Sequence, residues 1–192
     1  MLRYLRAAML LGGLAIGTAL GAAEPPELSE PPETVVDYQD GTYVGRLRMR
    51  VPVRREVALA VLTDFENMEN FVPNLSSSRI VRRNGNVYVV AQEGKADFGP
   101  FSYRFISERR IEVLPDGRIR ARAVSGTVKA MSSELTLLAA GPTATLIDYR
   151  IESTPDVWLL PSALGVGFLR HELDEQFTAI AREMLRRSRR AD

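Results

Sequence analysis

Turn signals at Asn84-Gly85, Gly99-Pro100, Asp116-Gly117 and Gly141-Pro142 cut the middle of this chain into consecutive segments of alternating apolar and polar residues. Short turns of this kind between alternating runs force neighbouring strands antiparallel. SSSRIVRR, NVYVVAQEGKADF, FSYRFISERRIEV, RIRARAVSGTV, MSSELTLLAA and TATLIDYRIES therefore read as a meander of six strands. A seventh precedes them. In TYVGRLRMRV, Leu47, Met49 and Val51 share one face, and Arg46, Arg48 and Arg50 the other. Period two marks a half-buried strand.

Two short helices separate that strand from the meander. RREVALAVLTD has apolar residues about a turn apart and ends at Thr63-Asp64. FENMENFVP follows at once, with Phe65, Met68 and Phe71 at three-residue spacing, and Pro73 stops it because the residue before proline avoids helical geometry. A crossover needs only one helix, so two in series suggest a wrap around an opening, able to move as a gate. The tail, from Ser162 to about Arg189, is one long helix whose narrow stripe runs through Val166, Leu169, Leu173, Phe177, Ile180 and Met184. Ser162 suits its N-cap, and Arg186, Arg187, Arg189 and Arg190 complement its C-terminal dipole.

A seven-stranded antiparallel sheet with one apolar face must cover it, and this helix is the only long cover. Alternation predicts the inward set: Phe101, Tyr103 and Phe105; Ile119, Ala121 and Ala123; Met131, Ser133, Leu135 and Leu137; Thr145, Ile147, Tyr149 and Ile151. Ala121 and Ala123 are small for a sheet centre. They either let the helix approach closely, against Phe177 or Met184, or leave a cavity. DVWLLPSALGVGF, residues 156 to 168, holds the sole tryptophan, Trp158, beside three leucines and a proline. It reads as local packing under the helix entry, or as an apolar lip that admits a ligand or touches a membrane surface.

This order, with Val61-Leu62-Thr63-Asp64-Phe65, Phe71-Val72-Pro73-Asn74-Leu75 and Ser78-Arg79-Ile80, resembles the START-like (SRPBCC) helix-grip superfamily, in the branch of polyketide cyclase-like and coenzyme Q-binding proteins. The likeness covers about residues 43 to 189. It implies an α+β fold in which a seven-stranded sheet curls around the last helix and leaves an apolar pocket. Relatives use that pocket for lipids, quinones, aromatic polyketides or hormones. On this reading the ligand-binding residues are Phe71, Phe101, Tyr103, Ala121, Ala123, Met131, Tyr149, Trp158, Leu169, Leu173 and Phe177. The superfamily shares no common catalytic set, so no catalytic residue is carried over.

Other chemistries find little support. His171 is the sole histidine and faces away from the helix stripe, and cysteine is absent. That disfavours a zinc site, a buried histidine pair and disulfides. No phosphate-cradling loop, dinucleotide fingerprint or nucleophile elbow is present, and no cofactor or metal is expected. The arginine rows Arg46/Arg48/Arg50 and Arg118/Arg120/Arg122 share their face with Glu108, Glu112, Glu134, Asp148 and Glu152. They read as a salt-bridged solvated surface and not as a nucleic-acid site. An enzyme of the cyclase, aromatase or dehydratase type would have to draw on Tyr103, Tyr149, Ser133, Glu93 or Lys95. A structural module with a filled core and a partner at the Trp158 lip is a third reading.

Arg3 and Arg6 precede the apolar run Ala7 to Leu20, followed by Gly21-Ala22-Ala23. This is a secretory pattern, with cleavage expected after Ala23 and an uncleaved anchor as the alternative. Residues 24 to 42 read as an acidic, proline-rich linker ahead of the domain at 43–189. Residues 1–23 hold two arginines and no acid, so the remainder carries 23 basic and 24 acidic residues, a net charge of −1. The expectation is a periplasmic binding or carrier protein for a hydrophobic small molecule or lipid, with transient contact to a membrane surface.

Overall fold

The computed structural model describes residues 28, 30–155 and 162–191. The expected signal peptide, half of the EPPELSEPPE stretch and Trp158 lie outside the described residues, as does the side chain of Phe101. The elements run β1 (Glu33–Gln39), β2 (Thr42–Val51), α1 (Arg55–Leu62), a 3-10 helix (Phe65–Asn70), β3 (Leu75–Asn84), β4 (Val87–Phe98), β5 (Phe101–Val113), β6 (Ile119–Gly126), β7 (Val128–Ala139), β8 (Thr145–Pro155) and α2 (Ser162–Ala191). All strands form one antiparallel sheet in the order β1-β2-β8-β7-β6-β5-β4-β3.

The sheet has eight strands where seven were expected. The extra one, β1, falls in the segment read as linker. Asp40 and Gly41, both at positive φ, make a two-residue turn that sets Gln39 opposite Thr42. Val36 is the one residue of β1 that is fully buried, and Tyr38 stacks on Tyr43 with ring centroids 4.6 Å apart. A strand with so little apolar content holds only because β2 offers it a free edge.

The outer face is the salt-bridged surface expected. Arg48 and Asp148 are direct cross-strand neighbours and pair at 2.9 Å, as do Arg120 and Glu134 at 2.6 Å. Both pairs are exposed, so each contributes at most about 1 kcal/mol.

The inner face is packed unevenly. At one end Val51, Val90, Ile111, Leu135, Leu137 and Ile147 are buried, together with Ala58, Val61 and Leu62 of α1 and Ala181, Met184 and Leu185 of α2. The helix lies close to β1, β2 and α1. Gly45 permits this: a Cβ there would meet Leu173 Cδ1 at 2.8 Å and Ile151 Cγ2 at 2.9 Å. On the far side, the β5–β6 register slips between Glu108 and Arg109, leaving Val124 unpaired and exposed. Such a bulge bends its strand and sharpens the local twist.

α1 ends at Thr63, whose hydroxyl donates to the Leu59 carbonyl at 2.8 Å. The 3-10 helix starts two residues later and leads through Pro73 to Asn74, at φ 65. Asparagine tolerates this left-handed geometry better than most residues. The Asn74 carbonyl then accepts the Lys95 N–H at 2.8 Å, crossing β4 directly over Gly94. A Cβ at Gly94 would lie 2.1 Å from that carbonyl oxygen and 2.5 Å from the Phe105 ring. Backbone cannot retreat as a flexible side chain can. Gly94→Ala is therefore expected to lower unfolding free energy by about 1–3 kcal/mol, the range for overpacking. Urea titration checks this, and an unchanged midpoint would mean that the crossing has slack.

Candidate functional site

Continuing the alternation of β5 beyond Phe105 brings Ser107, Arg109 and Ile111 to the inner face, opposite Gln92, Val90 and Tyr88 of β4. An arginine thus points into the interior of the grip. Its Nη2 donates to Gln92 Oε1, and its Nε is buried with no hydrogen-bond partner among the described residues. Burial pulls its pKa below the ordinary arginine value, and nearby Tyr149 opposes that shift. Arginine is weakly hydrated and stays charged even so.

The two small residues of β6 gain a role here. Ala123 is the direct cross-strand neighbour of Arg109, and Ala121 that of Ile111. Their methyl groups leave a long side chain room to lie across the sheet toward β8. There, burial raises the pKa of the Tyr149 phenol, while a hydrogen bond with Ser133 and the Arg109 charge both pull it down. The Tyr149 ring packs on Phe177 at 4.9 Å between centroids.

Around this group the inward residues are only partly buried. Tyr103, Phe105, Ser107, Arg109, Ala123, Met131, Ser133 and Tyr149 of the sheet, and Val166 and Leu169 of α2, all keep some access to solvent although they face the interior. The inward side chains are thus fully buried toward the α1 end and partly solvent-accessible at this end. Among these mostly apolar groups stands one buried cation.

The residues singled out from sequence divide accordingly. Tyr103, Ala123, Met131, Tyr149 and Leu169 stand around the open end, and the Tyr103 hydroxyl donates to the Thr127 carbonyl at 3.2 Å. Ala121, Leu173 and Phe177 are packed in the core. Phe71 lies after the 3-10 helix, against the core margin and with the Arg187 guanidinium 5.7 Å from its ring centre. Of the acid–base candidates, Glu93 and Lys95 face outward and are exposed, with Lys95 paired to Asp97 at 3.2 Å. Arg109 was missed. Continuing the β5 phase by four residues past Phe105 would have found it.

The gate segment is tied to α2 by polar contacts at both ends. Asp64 pairs with Arg187 at 2.6 Å. Ten residues on, the Asn74 amide donates to Glu175 at 2.9 Å and to Glu172 at 3.4 Å. Beside this second tie lies a cleft of about 700 Å³ between residues 69–75 and the His171, Asp174, Glu175, Thr178 and Arg182 face of α2. His171 is exposed, as its helical phase predicts, but Glu172 and Glu175 approach it with all three ligand atoms within 4.8 Å. The three side chains have the spacing of a candidate cation ligand set, and no ion is seen there. Its sequence signal is the i, i+1, i+4 spacing of His171-Glu172-Glu175.

Residues 51–180 match the family described as polyketide cyclase/dehydrase and lipid transport. The chain belongs to that family. No curated protein matches the sequence. Solved structures share the fold at low identity. The ZhuI aromatase/cyclase from Streptomyces sp. R1128 aligns at TM-score 0.63 and 14% identity, over 78% of this chain and 94% of its own. A STAR-related lipid transfer protein from Xanthomonas axonopodis aligns at 0.59 and 14%, over 81% and 99%. Human STARD10 aligns at 0.59 and 15%, over 80% and 73%. The helix-grip fold is thus that of START/SRPBCC proteins, and the family's own description joins cyclisation with lipid transport.

Glu172 supplies a test of the gate tie. Its carboxyl is nearly fully buried, and burial, with the Glu175 charge beside it, raises its pKa. A carboxyl raised on folding stabilises the fold fully below its unfolded pKa and loses that contribution as pH rises through the folded value. Glu172→Gln is therefore expected to raise the melting temperature at neutral pH, with the gain shrinking as pH falls through the raised folded value and gone once pH reaches the ordinary carboxylate range. Thermal melts across pH check this, and a pH-independent difference would argue against it.

Proposed function

We propose that this protein is a periplasmic carrier for amphipathic hydrophobic molecules, lipid- or quinone-like, held tail-inward between sheet and α2 with an oxygen-bearing head on Arg109. One observation carries the reading: a buried, partly unpartnered guanidinium stands among partly accessible, largely apolar inward side chains at one end of the grip. A buried charge left without partners costs several kcal/mol, and a carboxylate, phosphate or carbonyl oxygen on a guest would offset that cost. The family description and the lipid transfer fold of similar structures support the carrier role. The N-terminal pattern of residues 1–23 supports export.

A cyclase-like reading has one observation in its favour, the grouping of Arg109, Tyr149 and Ser133 at the same end. General acid–base chemistry wants a group that titrates near the working pH. The inward rows of β4 to β8 hold no histidine and no carboxylate, and the Tyr149 pKa is moved up, away from neutrality. The carrier therefore accounts for more of the geometry.

The test is chemical. Protein from the periplasmic fraction, beginning at Glu24, should release an amphipathic molecule into organic solvent, and emptied protein should take up oleate. Arg109→Met, close in length, should weaken oleate binding about tenfold or more, since hydrogen bonds to charged groups contribute about 1.5–3 kcal/mol. It should leave stability unchanged or higher, because a buried cation has been removed. Empty native protein that takes up neither oleate nor a quinone would falsify the carrier.

A further inference from the structure

The amide that holds Arg109 is itself held by the gate. Arginine has donors only, so Gln92 must turn its carbonyl oxygen toward Arg109. Its Nε2 then faces the other way and donates to Ser78 Oγ at 3.0 Å and toward Met68 Sδ at 3.5 Å. Having accepted from Gln92, Ser78 donates its single proton to the Phe65 carbonyl at 2.5 Å. Phe65 and Met68 belong to the 3-10 helix, and Glu69 of the same helix accepts the Ser78 backbone N–H at 2.9 Å. Ser78 and Gln92 are each 5% exposed, so water has little access to replace these bonds.

The chain of donors runs one way, from Arg109 to Gln92 and from Gln92 through Ser78 to Phe65. We propose that Ser78 and Gln92 are positioning residues that couple closure of the 3-10 helix to the aim of Arg109, and so make the site selective for guests with an anionic head. With the helix seated, the Ser78 proton is committed to Phe65. The Gln92 amide then keeps the one orientation that receives Arg109 and leaves the buried Nε of Arg109 as the donor that a guest would satisfy. With the helix lifted, Ser78 regains a proton to donate and the amide can turn. A turned amide would set N–H against the guanidinium and release it. Binding couplings are reciprocal, so a head group that fixes Arg109 must also favour the closed helix.

The inference rests on the carrier reading, and the probes separate the two. Oleate and oleyl alcohol share a tail and differ in head charge. The intact exported protein should bind oleate more tightly, and oleate alone should slow amide hydrogen exchange in residues 65–72. Ser78→Ala should weaken oleate about tenfold, the scale of one charge-assisted bond, change oleyl alcohol less than about threefold, and abolish the oleate-dependent protection. Ser78→Thr, which keeps the hydroxyl, should restore both. Gln92→Glu, which neutralises Arg109 without depending on Ser78, should weaken oleate at least as much and spare oleyl alcohol, so the proposal stays open to test if Ser78→Ala folds poorly. Equal loss of both ligands in Ser78→Ala, or oleate protection of residues 65–72 that survives it, overturns the coupling while leaving the carrier intact. Failure of the unaltered protein to bind either probe overturns the carrier and the coupling with it.

Discussion

One helix with a narrow apolar stripe cannot cover the whole inner face of an eight-stranded sheet, and this mismatch organises the molecule. α2 is drawn to the side where Gly45 lets it come close and where α1 adds a second apolar surface. Each large side chain buried there contributes about 1.5–3 kcal/mol, so the helix settles at that end. The other end of the sheet is left to its own curvature, which the slip between Glu108 and Arg109 increases. The partly accessible end of the inner face is thus the complement of a well-packed core. Closing it would need bulkier residues at Ala123 or along the first turns of α2.

This division also sorts polar groups. A charge in the packed half would be desolvated on all sides, whereas Arg109 sits among partly accessible side chains, supported by Gln92. Buried cations are weak evidence for stability and better evidence for a site. The contacts that close the gate differ in kind. Asp64–Arg187 and Asn74 with Glu172 and Glu175 are polar and peripheral, and partly exposed contacts of that sort contribute little to global stability. They fasten the segment at its two ends, while Phe65 between them is anchored in the core cluster.

Much of this was legible in the sequence because it rests on short-range rules. Period-two alternation placed Leu47, Met49 and Val51 inside, and the Gly- and Pro-containing turns ordered the meander. The long helix and the break at Thr63-Asp64 followed from apolar spacing. β1 was less visible: ETVVDYQ buries one side chain fully, and its acidic, proline-rich approach masked the Asp40-Gly41 hairpin signal. Arg109 was hidden for a different reason. In SERRIEV two adjacent arginines look alike, and only the strand phase, continued from Phe101, shows that Arg109 faces in while Arg110 faces out. Which end of the inner face stays open depends on where α2 docks, and that is decided by long-range packing at Gly45 and by the curl at β6.

The break between α1 and the 3-10 helix has a physical reason. A single continuous helix from Arg55 to Asn70 would stay rigid and keep Phe65 and Met68 on α1's axis. Breaking it at Thr63-Asp64 lets the second piece tilt so that its backbone carbonyl and Met68 sulfur reach Ser78 and Gln92, two strands into the sheet edge. A 3-10 turn suits this, since its short, poorly bonded helix holds by tertiary contacts more than by its own ladder. The conformation of this short helix is therefore set by the interior it covers, through the polar chain that runs from Phe65 by way of Ser78 and Gln92 to Arg109.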